Sequence, residues 1–163
     1  MMSNPLVLEA PAGQPLIDYH REFEFPVRSV FAAHIDPDLF AQWIGPPDLA
    51  TRIDLFDPRS GGGYRFVQAG DDGVEYAFRG IFHSLRQDEF VLQTFEFEGY
   101  PDVVTLEYST FTDLPDGRSR LTGRSLYPSV ESRDSFLGNG MADGMSSGYD
   151  QLDGVLASVR TGR

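Results

Sequence analysis

The chain has 163 residues, a formal net charge of −12, 13 basic residues that are all arginine, and no cysteine. That length fits one domain with a real core. The acidic balance excludes nonspecific binding to nucleic acid and to anionic membrane surfaces. Without cysteine there is no disulfide framework, thiolate nucleophile or cysteine metal site.

The first residues, MMSNPLVLEAPAGQPL, lack a basic region followed by an apolar stretch, so no signal peptide is read there. No apolar run approaches the ~20 residues of a membrane span, and the expected location is the cytoplasm. Pro5, Pro11, Gly13 and Pro15 predict a flexible tail over residues 1–14, ahead of a single domain over 15–163. From Ile17 to Phe25 the pattern alternates, with Ile17, Tyr19, Phe23 and Phe25 on one face, as in a strand buried on one side. Pro26 stops it, and 27–34 reads as a short helix. Asp36 followed by Pro37 is a helix start, with an N-cap acceptor and proline at the first helical position. The second short helix ends at Trp43, before Gly45-Pro46-Pro47.

Six strand-like segments follow: 49–56, 64–69, 74–85, 89–97, 103–112 and 120–127, split by Gly, Pro and Asp turn signals. Links this short predict an antiparallel meander. With the first strand this makes seven, and a sheet of that size must twist and curl. The stretch 130–159 reads as one long closing helix, although it holds Gly138, Gly140, Gly144, Gly148 and Gly154, each costing roughly 1 kcal/mol against alanine. Gly140, Gly144 and Gly148 form a stripe beside an apolar row of Leu137, Met141, Met145, Leu152, Leu156 and Val159. Either the helix packs closely on a neighbour or it lids a cavity, and Gly144 is expected to face the sheet or the cavity.

This order of elements resembles the helix-grip fold of the START-like (SRPBCC) superfamily, which includes birch-allergen-like proteins and polyketide cyclases. The stretches REFEFPVRSVFAAHIDPDLFAQWIGP (21–46), DPRSGGGYRF (57–66), RGIF (79–82) and PSVESRDSFLGNGMADGMSSGYDQLDGVL (128–156) narrow it. They resemble the AHSA-type family, homologues of the activator of the heat-shock-chaperone ATPase. The resemblance implies an α+β fold in which a curved seven-stranded antiparallel sheet grips a long C-terminal helix, with two short helices after the first strand. It implies a cavity but no single chemistry. The chaperone link belongs to larger relatives with an additional domain, so a chaperone partner is not expected here. Such chains often carry an acidic residue near the end of the fourth strand, where this one has Ser84; a carboxylate mechanism at that spot is in doubt.

His20, His34 and His83 lie on separate elements without metal-ligand spacing, so no metal and no cofactor is expected. There is no GxSxG elbow, phosphate loop or dinucleotide fingerprint. Arg21 sits on the apolar phase of the first strand. It is a snorkelling residue, a polar anchor at the cavity mouth for an acidic ligand, or half of an internal ion pair. Strand phase predicts the cavity wall. Glu96 and Glu98 point out, so Phe95 points in; Glu107 and Ser109 point out, so Val104, Leu106 and Tyr108 point in. Tyr64 and Phe66 share a face, as do Phe78 and Phe82. With Trp43, Met141, Met145 and Tyr149 they make a mostly apolar pocket for a hydrophobic or aromatic small molecule, held by a carrier or sensor. The alternatives are a cyclase, dehydratase or hydrolase using Tyr108, Arg21 or Tyr149, and a chaperone cofactor or protein-interaction module. The absence of a convincing acid/base pair tilts the reading away from an enzyme. A homodimer stays open.

Overall fold

The computed structural model describes residues 4–161. Eight strands form one antiparallel sheet: β1 (Val7–Glu9), β2 (Leu16–Phe23), β3 (Ala50–Phe56), β4 (Gly63–Ala69), β5 (Glu75–Arg86), β6 (Phe90–Phe97), β7 (Thr105–Leu114) and β8 (Arg118–Leu126). Their spatial order is β1-β2-β8-β7-β6-β5-β4-β3. The helices are α1 (Val27–Ile35), α2 (Pro37–Trp43), α3 (Val130–Leu137) and α4 (Met141–Thr161). The two short helices after β2 stand as the sequence predicted, and a long helix, α4, closes the chain.

Local chemistry accounts for the boundaries. The Asp36 side chain accepts from the backbone N–H of Asp38 at 2.9 Å and Pro37 opens α2. Ser129 caps α3 by accepting from Ser132 N at 3.0 Å. Alternation on β2 buries Ile17, Tyr19, Arg21 and Phe23 toward the helices. The outer face carries arginine–carboxylate pairs such as Arg124–Asp18 at 2.7 Å and Arg65–Glu98 at 2.8 Å, each worth little in water.

Two expectations are corrected. The sheet has eight strands rather than seven, because Val7–Glu9 pairs with β2 in the register Val7↔His20, Leu8↔Tyr19 and Glu9↔Asp18. Part of the predicted tail is therefore structured, and three residues are too few to show a period; residues 1–3 lie outside the described residues. The stretch 130–159 is two helices, not one. Gly138, Asn139 and Gly140 make the break, with Gly140 at φ +79°, a left-handed turn that glycine adopts without steric cost. The glycine stripe also divides. At Gly148 a Cβ would stand 3.3 Å from the Trp43 carbonyl oxygen, so its bare backbone lets α4 lie against the end of α2. At Gly144 a Cβ would meet nothing within 4 Å, so of the two faces expected for it the sheet is not in contact and open space stands beside it.

Arg21 settles among its three readings as an internal ion pair. Its side chain is 1% exposed, and its guanidinium donates to Asp153 Oδ1 at 3.0 Å and Oδ2 at 2.7 Å, and to Asp150 Oδ1 at 2.9 Å. This clamps α4 to β2. Its donors are occupied, so it does not serve as an anchor for an acidic ligand.

Asp153→Asn leaves Arg21 with one carboxylate. The expected loss in a urea unfolding curve is about 2 kcal/mol, below the 3–5 of a fully buried pair because Asp153 keeps some surface in water; an unmoved midpoint would count against the clamp. Gly144→Ala should raise stability by about 0.5–1 kcal/mol through helix propensity. Gly148→Ala should forfeit that gain against the Trp43 carbonyl. Equal melting shifts for the two variants would contradict this division.

Candidate functional site

The inner face of the sheet is sealed at one end and looser at the other. Toward the C-terminal half of α4, Phe23, Phe31, Leu121 and Leu152 are at most 1% exposed. Toward its N-terminal half, the inward Phe78, Gln93, Phe95, Glu107, Met141 and Met145 are all only half-buried. One wall is a ladder of stacked rings across β4, β5 and β6. Centroids lie 6.3 Å apart for Tyr64–Phe66, 5.1 Å for Phe66–Phe78 and 5.5 Å for Phe78–Phe95. Gly80 and Gly123 leave room for tyrosine rings to lie flat on the sheet, since a Cβ there would overlap Tyr64 and Tyr19 respectively.

Of the residues the sequence proposed, Tyr64, Phe66, Phe78 and Phe95 stand together on this wall. Trp43 and Tyr149 stack on each other at 5.6 Å between wall and core, and Trp43 Nε1 donates to Ala33 O at 2.9 Å. Met145 packs on the core cluster, and Met141 Sδ accepts from the Tyr127 hydroxyl at 3.7 Å. Tyr108 is a correction. It lies on the outer face, in a hollow of about 380 Å³ with Val7, His20, Thr110, Thr122 and Arg124, and Leu106 and Val104 are exposed too.

The phase of β7 is opposite to the one predicted, because its polar residues satisfy each other inside. Thr105, Glu107, Ser109 and Phe111 point in. Glu107 pairs in register with Ser125 on β8 and Gln93 on β6. Its Oε1 accepts from Ser125 Oγ at 2.7 Å and its Oε2 from Thr105 Oγ1 at 2.6 Å. Protein encloses the carboxyl, while the residue as a whole is half-buried. Burial pushes its pKa up to about 7, against the opposing pull of the two hydroxyls. Among the described residues no cation pairs with it.

Four tyrosine hydroxyls lie within the electrostatic reach of this carboxyl. Tyr19, Tyr64, Tyr127 and Tyr149 are each held protonated, chiefly by burial and further by the field of Glu107. Tyr19 and Tyr149 share a hydrogen bond. Tyr64 accepts from Gln93 and donates to the Thr94 carbonyl. An inward carboxylate is therefore present on β7, while Ser84 on β5 only meets its neighbour His83 at 2.7 Å. A mutually hydrogen-bonded Thr-x-Glu is the sequence signal for this site, and hydrophobic parity alone misses it.

His34, in the last turn of α1, has its ring enclosed by protein and is neutral. Burial lowers its pKa to about 4, and its Nδ1 donates to Val30 O at 2.7 Å. Among the described residues no three His, Asp or Glu side chains gather as a metal site, and no helix is long and apolar enough to cross a membrane.

The family described as Activator of Hsp90 ATPase homolog 1-like protein matches residues 24–157. Solved structures are similar throughout. A protein from Arthrobacter aurescens superposes with a TM-score of 0.85 at 23% identity, covering 93% of this chain and 91% of that one. A protein from Mycobacterium smegmatis gives 0.83 at 26% identity, over 93% and 97%. One from Rhodobacter sphaeroides gives 0.82 at 22%, over 93% and 99%. Among curated proteins none matches.

Two inward titrating groups set opposite pH dependences. Glu107 titrates at about 7 in the fold against an ordinary 4.5, so the folded state holds the extra proton and stability falls as pH rises through that window. His34 titrates at about 4 against 6.5, so stability falls as pH drops through its window. Where the windows overlap, the slopes cancel. Glu107→Gln removes one of them. Relative to the parent, the variant should gain about 3 kcal/mol as pH rises from about 4.5 to about 7, measured by urea unfolding; parallel profiles would refute the assignment.

Proposed function

The chain belongs to the family of Activator of Hsp90 ATPase homolog 1-like proteins, and from that premise we propose that it binds a hydrophobic or aromatic small molecule between the sheet and α4, as a carrier or sensor. The observation that carries this is the uneven packing of the inner face. Phe78, Phe95, Met141 and Met145 point inward yet stay half-buried, and Gly144 beside them has open space where a side chain would be. Interiors normally close to crystal-like density, so apolar side chains left loose opposite a ladder of rings are surface for a ligand to cover. Aromatic walls with a few polar groups are the usual make-up of such sites, and methionines adapt to varied shapes.

One observation favours a second reading, an enzyme of the cyclase, dehydratase or hydrolase kind in the same space. Glu107 is a carboxyl poised near neutrality, within the field of four tyrosine hydroxyls, as general acid–base catalysis requires. The two readings divide on the fate of the bound compound, which a carrier returns unchanged and an enzyme does not.

The test is a thermal-shift titration with a panel of apolar and aromatic compounds, charged and uncharged. Stabilisation should grow by mass action, to about 2.7 kcal/mol at a hundredfold excess over Kd. Met145→Trp, which fills the loose end, should abolish the shift while the fold persists. If no compound moves the melting curve of the parent protein, the reading falls.

A further inference from the structure

We propose that the ligand of this inner site carries a protonated amine on an apolar or aromatic frame and that the carboxylate of Glu107 receives it, an inference that rests on reading the space between sheet and α4 as a binding site. The geometry is that of an incomplete ion pair. Each carboxyl oxygen of Glu107 accepts one hydroxyl, from Ser125 and from Thr105. A carboxylate offers about four lone-pair sites, so half of its capacity has no protein donor among the described residues.

Positive charge is missing from the surroundings. Arg21 is the inward guanidinium, and Asp150 and Asp153 more than offset it. Arg133, buried beneath α3, donates to the carbonyls of Pro11 and Leu16 and pairs with Asp134. The titratable groups facing Glu107 are Tyr19 from β2, Tyr64 from β4, Tyr127 after β8 and Tyr149 from α4, all neutral hydroxyls; β6 contributes the uncharged Gln93.

A buried carboxylate without a counter-charge is unfavourable, so the ligand chemistries differ in cost. An anionic ligand would be repelled. A neutral one would leave the carboxylate unpaired or force it to keep its proton. An ammonium supplies charge and up to three donors, and the faces of Tyr64, Phe66, Phe78 and Phe95 add cation–π attraction for its frame. The net charge of −12 concentrates organic cations around the protein. Burial sets the free carboxyl near 7, so amine affinity should weaken as the pH falls below neutrality and Glu107 takes up a proton.

The experiment compares naphthylmethylamine, naphthylmethanol and naphthoate by calorimetric titration at about pH 8 and about pH 5.5. At the higher pH the amine should bind at least ~10-fold more tightly than the alcohol, and naphthoate more weakly than either. The amine preference should vanish at the lower pH and in Glu107→Gln. If alcohol and amine bind alike, or if the variant keeps the preference, the role of Glu107 is overturned while the binding site stands. If none of the probes binds, both fall. A second measurement avoids any dependence on the variant's folding. In ¹³C NMR of the parent protein, saturating amine should lower the titration midpoint of the Glu107 carboxyl, and an unmoved midpoint overturns the proposal.

Discussion

A guanidinium taken out of water must find carboxylates, and in this protein that constraint joins the two ends of the fold. Arg21 lies on β2 and its partner Asp153 on α4, 132 residues later. The geometry of the contact sets how α4 lies, because Asp150 and Asp153 bracket Leu152, which is wholly buried. Trp43 stacked on Tyr149, and Gln151 donating to the carbonyls of Trp43 and Gly45 at 3.3 and 2.6 Å, extend the same attachment to α2 and the loop after it. The ion pair is thus an orientation device more than a source of net stability, as buried pairs commonly are.

Further along the sheet the interior changes character. Around Phe23 and Leu121 it is a closed hydrocarbon core. Around Glu107 it is a patch of hydroxyls and one carboxyl, with Glu107 set by strand register between Ser125 and Gln93. Such a network survives burial only when its members satisfy one another. Ser125 and Thr105 do this for the carboxylate in part, which leaves a group both tolerated by the fold and chemically unspent.

Most of the architecture was legible in the chain because its punctuation is strong. Pro26, Asp36-Pro37 and the Gly/Asp turns separate the elements, and β2 alternates so cleanly that its buried face follows directly. The inward guanidinium of Arg21 was visible too, but its partners were not, since nothing local marks Asp150 and Asp153 as facing it. The site was half legible. Rings on β4, β5 and β6 follow hydrophobic parity and were found. Strand β7 defeats that rule, with apolar residues on both parities: Leu106 and Tyr108 on one, Phe111 on the other. Assigning Glu107 to water was the natural choice and the wrong one, because the fold supplies hydroxyl donors from Thr105 on the same strand and Ser125 on its neighbour. The break at Gly138–Gly140 was hidden similarly: glycines read as a packing stripe serve in part as a turn.

That break leaves α4 mechanically uneven. From Gly148 onward it is fixed by close backbone approach, ring stacking, side-chain hydrogen bonds and an ion pair. Its first two turns, past the left-handed Gly140, rest on the soft contacts of Met141 and Met145. Opening free energies in a native protein follow such gradients of contact. The loosest part of the helix is therefore its first two turns, tethered through the Gly138–Gly140 turn to α3, which Arg133 holds to the carbonyls of Pro11 and Leu16. Those two turns lie over the face where Glu107 and the half-buried rings stand.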